Sequence, residues 1–253
     1  MYRRISTIAI ASLMIAGCAS KAHIAKVETR NYELEDSKNS DVDSTAYFKI
    51  LPYQKTLTAD MNAVLAVSDQ PLEKGTPESA LGNFVADACL QIANQTYYPS
   101  DNKPADFIFL NNGGLRNPLP KGNITKGNVF ELMPFENELV VLKINGSVVK
   151  KIFNFIAEKE GAPIAGARFE IKDKEAVNIF INNKAFDSTQ SYKVITSDYL
   201  ANGGDQLFFL ANIRERETIN LKVRDAIIQY MMLKSKLNEH IIAKKDQRIT
   251  HVK

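Results

Sequence analysis

Asn111-Asn112-Gly113-Gly114-Leu115-Arg116 follows directly on the apolar run Phe107-Ile108-Phe109-Leu110. The run is too short for a helix and dense enough for a buried strand, so the spacing predicts a strand that passes straight into a glycine-rich turn. Glycines allow positive φ and close backbone approach to a ligand, and the arginine that ends the turn carries a forked cation. Loops at strand ends of open sheets are common places for small molecules to bind. Taken alone, the hexapeptide also reads as an ordinary hairpin turn with a solvated arginine beside it.

Working outward, Leu139-Val140-Val141-Leu142-Lys143-Ile144 predicts a second strand, closed by Asn145-Gly146, and a helix with Val149, Ile152, Phe153 and Ile156 on one side. Strand signals return at 169–171, 177–181 and 192–196. The loop 197–206 then leads to Leu207-Phe208-Phe209-Leu210, and an amphipathic helix is expected from about Thr218 to Lys236. Arg248-Ile249-Thr250 supplies a last edge strand. Upstream, Leu57, Met61, Val64 and Leu65 have helical spacing. Thr76 as N-cap with Pro77 in the first helical position predicts a helix carrying Leu81, Phe84, Val85, Cys89 and Ile92. Helices and strands mix without strict βαβ alternation, which predicts an α+β domain layered on a mixed sheet.

The 253 residues are 45% hydrophobic and 24% charged, enough for one ordinary domain with additions. Formal charge is +3, or +1 without Arg3 and Arg4, and no Lys/Arg stripe is interleaved with aromatics, so no nucleic-acid partner is expected. Residues 1–17 read as a targeting segment: Arg3 and Arg4 precede an apolar stretch from Thr7 to Ala16 that is too brief to span a bilayer. It ends in Ile15-Ala16-Gly17-Cys18, which resembles a bacterial lipobox; cleavage before Cys18 and acylation of that cysteine are then expected. The alternative is a plain signal peptide with Cys18 incidental. Each buried acyl methylene contributes about 0.8 kcal/mol, so several chains anchor firmly. Ala19 after the cysteine points to a lipid anchor in the cell envelope, in the outer membrane under enterobacterial-type sorting. Residues 18–45 are polar, with Glu28, Glu33, Glu35, Asp36, Asp41 and Asp43, and read as a tether to a domain over 46–253. Cys89 is left unpaired on an apolar helix face, so neither a disulfide framework nor a Cys-type metal site is expected.

Two later stretches share the character of the 111–116 loop. In Leu132-Met133-Pro134-Phe135-Glu136-Asn137 the proline stiffens the turn that presents Phe135. In Tyr199-Leu200-Ala201-Asn202-Gly203-Gly204-Asp205 the glycine pair allows Tyr199 and Asp205 to face one space. Two aromatic faces, Arg116, Asp205 and the Asn111 amide suit a nucleoside or nucleotide: rings stack on a base, a carboxylate accepts ribose hydroxyls, and a guanidinium holds phosphate. The same residues also fit two core aromatics and a turn aspartate bonding its own backbone.

These three stretches, in this order and with Glu78-Ser79-Ala80-Leu81-Gly82-Asn83-Phe84-Val85-Ala86-Asp87-Ala88 ahead of them, resemble the C-terminal domain of the 5′-nucleotidase and UDP-sugar hydrolase family, from about Phe48 onward. The resemblance implies a nucleotide-binding domain in which Phe135 and Tyr199 sandwich the base, Asn111 contacts it, Arg116 contacts phosphate and Asp205 contacts ribose. Pro77 stands where that family often has an arginine, which implies one phosphate contact fewer, and Tyr199 replaces the commoner phenylalanine. The family's catalytic half is a metallophosphoesterase domain with two divalent metals, and such a site needs several histidines and carboxylates. This chain has only His23, His240 and His251, so no cofactor is expected here and the metals are expected on a partner chain. There is no Gly-x-Ser-x-Gly elbow, P-loop or Cys/His pair. Three readings follow, in this order: the nucleotide-binding half of a split phosphohydrolase; a membrane-tethered nucleoside- or nucleotide-binding lipoprotein without catalysis; and a structural lipoprotein with neither ligand nor partner.

Overall fold

The computed structural model describes residues 26–31, 43–99 and 101–252. The targeting segment, Cys18, His23 and most of the tether lie outside those residues. The chain divides into two units, residues 1–50 and 51–253. In the first, Lys26 pairs with Glu28, and the Asp43 carboxylate accepts from the backbone of Thr45 at 2.9 Å and Ala46 at 3.1 Å. Those bonds open α1 (Ser44–Met61), none of whose residues is buried.

The larger unit departs from the sequence expectation at three element boundaries. Val64 and Leu65 do not continue a helix; they begin β1 (Val64–Ser68), which pairs antiparallel with β3 (Gly122–Thr125). Helix α2 (Ala80–Thr96) starts three residues later than Thr76-Pro77 suggests, because Ser79 is the cap: its hydroxyl accepts from Gly82 N at 2.9 Å. Glu78 is held outside the helix by its carboxylate, which accepts from the backbone of Asp246 at 2.9 Å and Gln247 at 3.1 Å. The expected helix from Thr218 splits into β10 (Arg216–Lys222) and α6 (Val223–Lys236). Ile219, Val223, Ala226 and Ile227 have helical spacing, but Ile219 and Leu221 are buried while Thr218 and Asn220 are exposed. That is a strand's period of two, in a segment held extended by pairing of 216–218 and 222 with the strand at 138–145.

The remaining elements fall where the sequence places them: β2 (Phe107–Phe109), β4 (Glu138–Asn145), α4 (Gly146–Glu158), β6 (Ala167–Lys172), β7 (Glu175–Ile181), β9 (Ser191–Ser197) and β11 (Ile249–His251). Helices α3 (Lys126–Leu132) and α5 (Asp198–Ala201) and the short strands β5 (Ile164–Ala165) and β8 (Lys184–Ala185) complete them. A five-stranded mixed sheet runs in the order β10-β4-β9-β2-β5, with β2 and β9 parallel. A four-stranded sheet runs β11-β6-β7-β8, with β11 parallel to β6 at its edge. The architecture is thus the layered α+β domain expected.

Both faces of the five-stranded sheet are covered, which explains its unbroken apolar runs. Along β2, Ile108 and Leu110 enter one core with α2 and α6, while Phe107 and Phe109 enter the other. Cys89 packs in the first core as a small hydrophobe, and burial raises the pKa of its thiol. In the second core the Phe153 ring of α4 stacks on Phe107 (centroids 5.3 Å apart, planes 26° apart) and meets Phe169 of the four-stranded sheet edge-on at 5.3 Å. Helix α4 is the filling between the two sheets.

Candidate functional site

The three turns singled out by the sequence meet at the ends of β2, β4 and β9, and named bonds tie them to one another. Arg116 N donates to Leu132 O at 2.8 Å, joining the first turn to the second. Glu138 N donates to Asp198 Oδ1 at 3.1 Å, joining the second to the third. Asn111 Nδ2 donates to Asp205 Oδ2 at 2.7 Å, joining the first to the third. The first turn is therefore not a hairpin: after Asn111 the chain makes a short 3₁₀ turn, Asn112–Gly114, and leaves β2 behind.

Asp205 is the centre of this junction. It sits at φ 51°, a left-handed conformation that Asp tolerates better than most residues. Its carboxylate does not fold onto its own backbone: Oδ1 accepts from Tyr199 Oη at 2.8 Å, and the same hydroxyl accepts from Asp205 N at 3.2 Å. Donation to the carboxylate raises the Tyr199 pKa. The Tyr199 ring lies directly on Gly204, where a Cβ would come within 2.5 Å of Cε1 and push the ring aside. Phe135 and Tyr199 are 42% and 44% exposed, so neither is a core residue. Arg116 is exposed as well, its Nη1 reaching Gly113 O at 3.4 Å.

Residues with no signal in the sequence support the turns. Arg224, 5% exposed, stacks 4.1 Å from the Phe130 centroid, donates to Met133 O at 3.3 Å and pairs with Glu136, thereby bracing both flanks of Phe135 from below. Lys222 also pairs with Glu136. Lys74 Nζ donates to Leu115 O at 2.7 Å, adding a second cation beside Arg116. A cavity of about 330 Å³ opens against Asn111 and Asp205, walled by Phe109, Phe155, Leu200 and Lys159. Phe155 was the one legible hint of it, being an aromatic off the Val149, Ile152, Phe153, Ile156 stripe.

Lys222 and Arg224 hold the Glu136 carboxyl at about 2, below its usual 4.5. A depressed carboxyl stabilises the fold above its unfolded pKa, and the contribution fades as pH falls through the folded one. The bracing of the Phe135 turn should therefore weaken between roughly pH 5 and pH 2. Urea unfolding measured across that range should show a shallower acid limb for Glu136→Gln than for wild type. Identical limbs would mean that these ion pairs do not order the turn.

The Glu78–Ala88 motif serves the frame. Glu78 also accepts from Asn83 Nδ2 at 2.6 Å, and Asp87 accepts both Arg248 Nη1 and Nη2 at 2.7 Å. With the bonds from 246 and 247, this ties the C-terminal segment to α2. Among the described residues no three His, Cys, Asp or Glu side chains come together as a metal site. His240 faces Asp69 at 2.6 Å and His251 faces Glu160 at 3.3 Å, in separate places. This donor set does not fit the dinuclear centre that the family resemblance implies.

Residues 56–212 match the family described as 5′-nucleotidase, C-terminal domain. The 5′-nucleotidase of Vibrio parahaemolyticus is 28% identical over 164 residues, covering 61% of this chain and 28% of that protein. Protein UshA of Yersinia enterocolitica is 30% identical over 141 residues, 54% of this chain and 24% of its own length. The match thus spans less than a third of either relative. Among solved structures, a 5′-nucleotidase precursor from Thermus thermophilus superposes with TM-score 0.68 at 23% identity, over 83% of this chain and 43% of the other. The Haemophilus influenzae NAD nucleotidase gives 0.62 at 20%, over 85% and 42%; at these identities the likeness speaks for the fold. With the family match extending over more than half of its length, the chain belongs to the 5′-nucleotidase C-terminal domain family.

Proposed function

We propose that this chain is the nucleotide-binding half of a 5′-nucleotidase-type phosphohydrolase, tethered to the cell envelope through Cys18 and completed by a separate chain that carries the divalent metals. The observation that carries the reading is the three-turn junction, in which Asn111 and Tyr199 fix Asp205 while Phe135, Tyr199 and Arg116 on the linked turns stay open to solvent. Two ring faces stack on a base for about 1–3 kcal/mol each. Each carboxylate oxygen of Asp205 spends one lone pair on Asn111 or Tyr199 and keeps another for a ribose hydroxyl. Arg116 supplies the forked donor for phosphate. Catalysis is assigned to another polypeptide, which would carry the histidines and carboxylates that a dinuclear centre needs; among the described residues no such cluster assembles.

Calorimetry with adenosine and AMP tests the clamp. Phe135→Ala and Tyr199→Ala should each weaken binding about 5–150-fold, the equivalent of 1–3 kcal/mol. A wild-type chain that binds no nucleoside or mononucleotide would overturn the reading. Adding a metallophosphoesterase chain from the same cell should switch on phosphate release from AMP. The second reading, a tethered binding module without catalysis, rests on the same metal-poor donor set; nucleotide binding with no phosphate release in any such mixture would select it.

A further inference from the structure

Helix α1 gathers most of its apolar residues on one side, and none of its residues is buried. At about 100° per residue, Tyr47, Ile50, Leu51, Tyr53, Leu57 and Met61 fall within about 160° of the circumference. We propose that this side lies on the bilayer that holds an acylated Cys18, with its rings and aliphatic chains at the level of the lipid headgroups. The inference rests on the tethering through Cys18 and adds a second contact, made by the helix itself, with the same membrane.

Three observations select a lipid surface. The first is distance: residues 19–43 connect Cys18 to the helix and cannot span more than about 90 Å however they are arranged, so the membrane is always within reach of α1. The second is charge. Lys49 and Lys55 are exposed and stand about 40° beyond the two borders of the apolar side. From there each can lay its aliphatic stem along the surface and put its ammonium among lipid phosphates. Lysine is depleted at protein interfaces, so a cation on each border suits a bilayer better than a protein. The third is the type of ring. Tyr47 and Tyr53 are exposed, and tyrosine gathers where hydrocarbon meets water because its body is apolar and its hydroxyl polar.

Three features oppose the contact. Asp60 lies on the same flank as Lys49, but its carboxylate is paired with Lys126 Nζ at 2.7 Å. Phe48 falls outside the apolar side, where it meets the Tyr47 ring edge-on with centroids 5.8 Å apart. Gln54 and Thr58 interrupt the apolar side, so α1 alone would hold a bilayer weakly. The acyl chains supply what is lacking: they keep the helix at a high local concentration beside the lipid, which turns a weak contact into an occupied one.

The chain has no tryptophan, so one introduced into α1 reports on its own position alone. Leu57→Trp probes the apolar side and Ala59→Trp a point about 160° away from it. The acylated chain would be reconstituted in vesicles of phosphatidylethanolamine and phosphatidylglycerol, with mass spectrometry reading the lipid on Cys18. Leu57→Trp should emit at shorter wavelength than Ala59→Trp, and lipid brominated on its acyl chains should quench it several-fold more. Ile50→Asp added to Leu57→Trp should remove that difference while the chain stays on the vesicles. Acylated, vesicle-bound chain in which the two reporters behave alike would overturn the inference and leave the tether standing. So would a difference that appears only when a second protein is added, since a protein would then occupy this side. A chain that carries no lipid on Cys18 and does not sediment with vesicles would overturn the tether, and the inference with it.

Discussion

Gly161→Ala should destabilise the chain by about 4 kcal/mol or more, and should weaken nucleotide binding in whatever remains folded. Gly161 has φ +111°, a region that side chains with a Cβ avoid, and a Cβ there would lie 1.9 Å from Pro77 O and 2.7 Å from its carbonyl carbon. The obstacle is backbone rather than a flexible side chain, so it is removed only by separating the end of α4 from the segment that leads into α2. That segment is held in turn by Glu78, whose carboxylate binds the backbone of 246 and 247. The same glycine's carbonyl accepts from Asn112, so moving it also loosens the turn that carries Asn111. Urea unfolding gives the stability change directly. A difference under about 0.5 kcal/mol, the range of an ordinary surface substitution, would show that this contact is not enforced.

Phe153→Ala should cost about 3–5 kcal/mol. The ring is fully buried, stacks on Phe107 of the five-stranded sheet and meets Phe169 of the four-stranded sheet edge-on. Its loss leaves a cavity between the two sheets that neither can close by itself, since each is held by its own strand pairing. Phe153→Leu keeps most of the volume and should cost less. Thermal unfolding followed by circular dichroism would rank the three proteins. Equal midpoints for Phe153→Ala and wild type would mean that α4 does not join the two sheets. Nucleotide affinity, measured below the variant's transition, should be unchanged, because the three turns are tied to one another by bonds that do not pass through Phe153.

How far the sequence could be read followed a physical rule. Phe107–Leu110 and Leu139–Ile144 were legible as buried strands because both faces of their sheet are covered, and only a short apolar run satisfies that. The helix that carries Val149, Ile152, Phe153 and Ile156 was legible because one side of it faces a core. In Val64 and Leu65, and in the stretch from Thr218, the apolar residues fit a helical spacing by accident. Their strand state comes from partners more than fifty residues away, β3 in one case and β4 in the other. Thr76-Pro77 looked like a helix start because local signals favour one, yet Ser79 offered a cap three residues on while tertiary bonds held Glu78 outside.

The candidate site divides in the same way. Glycines, a stiffening proline and exposed aromatics at strand ends are local chemistry, so the turns around Asn111, Phe135 and Tyr199 could be picked out from the amino-acid order. That order also determined the layered α+β class. Only the tertiary structure decided that Asn111 and Tyr199 both bond Asp205, that Arg224 braces the Phe135 turn, and that Lys159 and Phe155 wall a cavity beside Asp205. The bonds of Asn111 to Asp205 and of Arg224 to Glu136 join side chains some ninety residues apart, and periodicity carries no information about them. Hydrophobic burial and turn conformation act over a few residues and leave a trace in the sequence, whereas hydrogen-bond partners are chosen by whichever strands the folded sheet brings side by side.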